Sequence, residues 1–234
     1  MHAEARRAVL ATGLLLSYGV VAHRMVPTRA EVPANLSAAV AAVLLARAWG
    51  RSWAELGLDP GESSRGARAG MAAAAPAVAG LAVAAAVPAL RPWFRDERVV
   101  GASPRETAGH VLVRIPLAIG LAEELLFRGA LLAVTDRAVG RRRAVVWTSL
   151  AFGAWHVVPA LHAHGSSAVA AGRLERYGGV AATIAGTVLA TTVAGVGLAV
   201  LRLRARSVVA PVLAHAMVNA SAFLLARRAT RAQA

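Results

Sequence analysis

The chain has 234 residues, of which 57% are hydrophobic and 16% charged, and its mean hydropathy is +0.56, a balance typical of a membrane protein with several spans. The net charge of +14 comes from arginines that flank the apolar segments. Because such arginines contact lipid headgroups, we expect the anionic partner to be the lipid bilayer, and we expect no nucleic-acid partner. The sequence contains no cysteine, which excludes disulfides, thiolate metal ligands and thiol nucleophiles.

Apolar segments follow one another along the chain and are joined by short charged connections. The first follows two arginines, as in a signal peptide, but no small-x-small cleavage site comes after it, so we expect a retained membrane helix. The third contains Pro76 and Pro88, which should kink it or mark its end, and the fifth runs into Pro159, which makes it short for a full crossing. The segments comprise residues 8–26, 32–49, 69–90, 107–134, 144–158, 178–203 and 207–226.

These segments predict an all-α fold, a polytopic membrane helical bundle of about seven (six to eight) transmembrane helices. The polar connection at 51–68 is the longest, and we expect no separate soluble domain there. We expect a multi-pass protein of the cell membrane. Ionisable groups at bilayer depth cost about 2.5–3.5 kcal/mol each and persist where they are paired or functional, so the polar residues within the apolar segments predict a membrane-embedded polar site.

The fourth segment carries two adjacent glutamates and an arginine. Glu124 and Arg128 stand at i and i+4 with the acid on the N-terminal side, which favours an ion pair along one helix face. Glu123 points about 100° away, lacks that partner and is the candidate catalytic carboxylate, able to act as a general base. The simpler alternative is a motif that only fixes helix packing, with Glu123 as an additional hydrogen-bonded residue.

Two later segments also present polar stripes. Phe152 and His156 lie at i and i+4 in the fifth segment, and His215 and Asn219 do so in the seventh. A lone histidine on an apolar helix is more often a packed core residue, but these groups together with a spare glutamate can position a water, take its proton and donate hydrogen bonds to an oxyanion. Because each is costly in lipid, we expect them to converge in the bundle interior.

The remaining polar residues near segment ends carry weaker signals. His23, His162 and His164 are expected at the membrane surface. His110 and Arg114 lie one turn apart and are either headgroup contacts or part of the entrance to the site.

The three motifs together resemble the CAAX prenyl endopeptidase and bacteriocin-processing (CPBP, Abi/CAAX protease-like) family of intramembrane metalloproteases. They are Glu-Glu-x-x-x-Arg at 123–128, Phe-x-x-x-His at 152–156 and His-x-x-x-Asn at 215–219, and their order, spacing and helical context match over about 107–226. The chain then divides into variable N-terminal transmembrane helices at 1–105 and a CAAX-protease-like catalytic helical core at 106–228.

The resemblance implies an endopeptidase in which Glu123, assisted by His156, activates water for attack on a peptide carbonyl. It further implies that His215 and Asn219 bind the developing oxyanion, while Glu124, Arg128 and Phe152 support the motif. Zn²⁺ suits such a set of histidines and carboxylates, with Glu123, His156 and His215 as candidate ligands. The His-Glu-x-x-His spacing of helical zinc sites is absent from the sequence, so the question whether the site binds a metal ion stays open.

Two other functions stay open alongside the protease. One is a noncatalytic membrane protein that confers bacteriocin immunity or acts as a scaffold, and the other is a proton-coupled transporter. Convergence of the motif residues on one embedded cavity favours the protease, whereas a polar path through the whole bilayer favours transport. Arginine without lysine is typical of a GC-rich bacterial coding bias, so we expect the substrate to be a membrane-associated peptide or protein, such as a bacteriocin-like precursor or a signalling anchor.

Overall fold

The structure is a computed structural model that describes residues 2–94, 96, 102–165, 175 and 178–231. The described part is 87% helical and contains no strand, which confirms the all-α prediction. The main helices, in chain order, are α1 (His2–Met25), α2 (Thr28–Ala48), α3 (Ser63–Ala86), α4 (104–139), α5 (Arg141–Trp155), α6 (Val157–Gly165), α7 (Val180–Ala205) and α8 (Val209–Arg231). Short 3₁₀ turns lie at Pro60–Glu62 and Arg91–Phe94.

Six helices of the described chain are long and apolar enough to cross a membrane. Together with α4 they form the bundle of about seven helices that the apolar segments predict. Helix α4 is not one of the six, because charged residues recur along its whole length, but it lies against most of the other helices. The six are His2–Met25, Thr28–Ala48, Pro60–Ala86, Arg141–His164, Val180–Ala205 and Val209–Arg231.

The expectation that the fifth apolar segment is too short was wrong. Helix α5 ends at Trp155, His156 forms a turn, and the chain continues directly as α6. Pro159 is the third residue of α6, where a backbone N–H would have no intrahelical acceptor, so proline removes no hydrogen bond. The combined element is therefore long enough to span.

Pro88 marks the end of the third segment, which is one of the two predicted effects of its prolines. Pro76 lies inside α3, and the helix ends at Ala86, shortly before Pro88. Val87, the residue between them, is extended with ψ of 119°, because the ring of a following proline disfavours helical geometry.

Helix α4 is a continuous helix at the centre of the bundle, and it packs against α1, α2, α5 and α8. It contains two stretches of wider, π-type turns, His110–Leu121 and Leu125–Leu131, on either side of Ala122–Glu124. Wide turns of this kind are rare and concentrate at functional sites. The two adjacent glutamates therefore lie in a short α-helical turn between two irregular stretches.

Small residues let the motif helices approach one another closely. A Cβ on Gly153 of α5 would overlap the Thr192 hydroxyl of α7, and a Cβ on Gly120 of α4 would lie 3.0 Å from Ala216 of α8. Close approach of this kind is the usual role of glycine in membrane helix packing. It brings the segments that carry His156 and His215 against the rest of the bundle.

Helices α1 and α2 each pack onto α4 more extensively than onto each other. Asn35 of α2 is buried and donates from Nδ2 to the backbone carbonyl of Ala118 at 3.1 Å, while its Oδ1 accepts from the Tyr18 hydroxyl of α1 at 2.7 Å. Asn35 thereby connects α2 by hydrogen bonds to both α1 and α4.

Candidate active site

The motif residues of α4, α5 and α8 meet at one cavity of about 830 Å³. Its wall includes Glu123, His156, His215 and Asn219, the residues predicted to be catalytic, together with Phe152. Three segments separated by dozens of residues thus bring polar side chains to one place, as their cost in lipid predicts. Their catalytic roles stay predictions.

Glu124 and Arg128 lie behind this wall. Arg128 donates from Nη1 to Glu124 Oε1 at 2.9 Å, and the exposed fractions of the two side chains are 1% and 0%. The guanidinium also reaches the Gly195 carbonyl of α7 at 3.4 Å and lies over the Phe152 ring at 4.1 Å. The ion pair predicted from the i, i+4 spacing is therefore present, fully buried and covered by the aromatic residue of the second motif.

Glu124 has a second partner that the local spacing does not predict. His215 Nδ1 lies 2.8 Å from Glu124 Oε1, the same oxygen that Arg128 contacts. A carboxylate oxygen accepts, so Nδ1–H of His215 is the donor and Nε2 is the nitrogen left free. Glu124 therefore orients the imidazole of α8 as well as pairing with Arg128.

Glu123 is held at only one of its carboxylate oxygens. Its side chain is 5% exposed, and Oε1 accepts from the indole N–H of Trp155 at 3.3 Å. The other oxygen, Oε2, is buried and has no hydrogen-bond partner among the described residues. Trp155 was missed by sequence reasoning, although it directly precedes His156, because a tryptophan in an apolar segment suggests bulk rather than a hydrogen-bond donor.

His156 is oriented by its own helix. Nδ1 lies 2.7 Å from the backbone carbonyl of Phe152, and the ring packs edge-on against the Phe152 ring with centroids 4.6 Å apart. A carbonyl can only accept, so Nδ1 carries the hydrogen and Nε2 of the neutral imidazole is an acceptor. This bond fixes the tautomer that a base needs.

The N-terminal helices also contribute to the cavity wall. The surface placement expected for His23 was wrong: it is half-buried, lines the cavity, and packs edge-on against Trp155 with centroids 5.1 Å apart. The reason is that Gly19, one turn earlier on α1, leaves room for the Trp155 ring. His162, although exposed, also lines the cavity, whereas His164 contacts the Thr183 hydroxyl at 2.9 Å.

Arg114 and His110 line the cavity rather than only the lipid surface. Arg114 makes a two-pronged ion pair with Glu31 of α2, at 2.6 Å from Nε and 2.9 Å from Nη2, and its Nη1 lies 3.0 Å from His110 Nε2. His110 in turn stacks on Phe223 at 4.2 Å. The sequence left open whether this pair contacts lipid headgroups or lines the entrance to the site. The structure places both residues in the cavity wall.

The donor groups do not form a metal site as they are arranged. A zinc site needs three or four His, Cys or carboxylate ligands around one point. Within the part of the chain that the structure describes, no group of three or more His, Asp or Glu side chains is placed to hold a metal ion. Glu123, His156 and His215 share the cavity without forming such a set, and we assign no catalytic step to a metal.

The fold and the site together define a multi-pass helical membrane protein with an embedded cavity of glutamate, histidine and asparagine. Residues 107–221 match the family model described as type II CAAX prenyl endopeptidase Rce1-like. This region carries all three motifs, and its match to the Rce1-like family supports a CAAX-type intramembrane protease in general. No curated protein and no solved structure matches the chain.

Proposed function

We propose that the protein is an endopeptidase of the bacterial cell membrane that hydrolyses a peptide bond in a membrane-associated peptide or protein. One observation carries the proposal. Glu123 is fixed through Oε1 by Trp155, its Oε2 has no partner in the described part of the chain, and it shares its cavity with His156, His215 and Asn219. A buried polar atom without a partner requires an explanation, and a bound water or substrate supplies one.

Water activation is the first step of the proposed reaction. Glu123 Oε2 and His156 Nε2 are both acceptors, so one water can donate a hydrogen to each and direct a lone pair at the substrate carbonyl carbon. As the new C–O bond forms, Glu123 takes the proton. It then delivers the proton to the amide nitrogen as the C–N bond breaks, which leaves a carboxylic acid and an amine.

The negative charge that develops on the carbonyl oxygen needs donors already in place. In the proposed mechanism these are the Asn219 amide and Nε2–H of a doubly protonated His215. Glu124 holds the other nitrogen of His215, and Arg128 holds Glu124. Loss of one such donor costs about 10²–10³ in rate in well-studied hydrolases.

We propose that residues 106–228 form the catalytic core and that the helices before them complete its wall. The core contains the residues of all three motifs, while His23 and Glu31 enter the same cavity from α1 and α2. Because a single cavity collects these groups, the protease is better supported than the transporter.

Comparison of protein N-termini in membranes expressing two forms of the chain tests the proposed activity. Glu123→Gln keeps the shape of the side chain and an oxygen for Trp155 but removes the base, so we expect new N-termini that appear with the wild type to be lost. Glu55→Gln is the matched control, because Glu55 is a partly exposed acid that does not line this cavity, and this variant should retain the new N-termini. Identical sets of termini with the wild type and Glu123→Gln would instead favour a noncatalytic immunity or scaffold protein.

A further inference from the structure

We infer that His23 of α1 is a substrate-contact residue that hydrogen-bonds the backbone of the bound peptide next to the scissile bond. The inference rests on the proposed function and assigns a role to a residue outside the 107–221 region that matches the family model. His23 lines the same cavity as Glu123, from a helix that carries none of the three motifs.

The position of His23 is set by its contact with Trp155. Gly19 and His23 are four residues apart on one face of α1, and a Cβ on Gly19 would overlap the Trp155 ring. The indole thus lies against this face, with the imidazole edge-on to it at 76° between the ring planes. The same indole donates to Glu123 at 3.3 Å, so one tryptophan connects His23 to the proposed base.

The proposed contact with the peptide uses the Nε2 atom of His23. Nε2 is buried and has no hydrogen-bond partner among the described residues. In the same cavity, His156 and His215 each use one ring nitrogen in a bond that orients the ring. His23 is held by ring packing instead, which leaves its polar edge available to whatever enters the cavity.

The chemical class that fits this group is an extended peptide backbone. A segment that unwinds for hydrolysis exposes N–H and C=O groups at bilayer depth, and each of them must find a partner because lipid offers none. An imidazole can donate or accept, so it can pair with either backbone group. The titratable groups that line the same cavity include Glu123, Glu31, His156 and His162.

Steady-state cleavage of a synthetic peptide tests the inference. The peptide spans a cleavage site identified by the comparison of N-termini. The full-length chain is reconstituted in liposomes as wild type, His23→Leu, His23→Gln and His164→Leu. His23→Leu keeps the bulk but removes both polar atoms, and we expect KM to rise on the order of tenfold with kcat within about twofold, the effect of one lost hydrogen bond. His23→Gln can place an amide near the Nε2 position and should restore most of the loss.

His164→Leu is the matched control, since His164 contacts Thr183 and is not part of the cavity wall; it should behave as the wild type. An unchanged KM in His23→Leu, or an equal rise in His23→Leu and His23→Gln, would overturn the role of His23. These outcomes differ from failure of the proposed function, in which no cleavage depends on Glu123 and the inference falls with it.

Discussion

Glu123 and Glu124 are neighbours in the sequence but have different surroundings in the structure. Glu124 is fully buried and accepts from both Arg128 and His215 through one oxygen. Among the residues that the structure describes, Glu123 accepts from Trp155 alone, and it lines the cavity. The difference follows from the rotation of about 100° between successive helical residues, which points one carboxylate at an arginine on its own helix and the other at the cavity.

This difference predicts unequal effects on stability. Glu124→Gln leaves the Arg128 charge buried without its counter-ion, which costs about 3–5 kcal/mol, or roughly 10 °C in melting temperature for a chain of this size. Glu123→Gln removes a charge that has no ionic partner within hydrogen-bond distance among the described residues, and the melting temperature of this variant should stay within about 2 °C of the wild type. Thermal unfolding of both variants in the same detergent makes the comparison. Equal melting temperatures would refute the separate roles of the two glutamates.

At the level of helices, spacing along the sequence predicts contacts within one element but not contacts between elements. The Glu124–Arg128 pair follows from i, i+4 spacing, and the end of α3 near Pro88 follows from the steric effect of proline. The contacts from Trp155 to Glu123 and from His215 to Glu124 depend on how each helix is rotated about its own axis. Close contacts between helices, such as those at Gly153 and Gly120, depend on the same rotation, and the local sequence pattern does not reveal it.

The contact between α1 and α5 gives a prediction for an element. Gly19→Ala places a Cβ where the Trp155 ring lies, so we expect a loss of about 1–3 kcal/mol in stability and slower peptide cleavage, because Trp155 is displaced from Glu123. Gly13→Ala is the control on the same helix, since its Cβ would meet nothing within 4 Å, and alanine should stabilise a helix interior by about 0.5–1 kcal/mol. Thermal unfolding and a cleavage assay of both variants test this. The packing explanation is wrong if the two alanine variants behave alike.

For the whole molecule, the sequence predicts the helical bundle and the meeting of three motifs, but it underestimates the first two helices. They resemble the family only as variable apolar spans, yet His23 and Glu31 complete the cavity wall and Asn35 ties α2 to α4. A single polar residue near the end of an apolar segment shows no periodicity. Its sequence context is the same whether it lies at the membrane surface or in the cavity. The inward position of His23 and Glu31 follows only from the packing of α1 and α2 on α4.

In the proposed mechanism, Glu123 of this chain activates water to cleave a peptide bond. This step is tested by cleavage of a peptide that spans the identified cleavage site. The purified full-length chain is reconstituted in liposomes in water enriched in ¹⁸O, and both products are analysed by mass spectrometry. With Glu123 as the base, we expect one ¹⁸O atom in the new carboxyl group formed by the wild type and no product with Glu123→Gln. Cleavage by Glu123→Gln at the wild-type rate, or a wild-type product without ¹⁸O in its new carboxyl group, would contradict this mechanism.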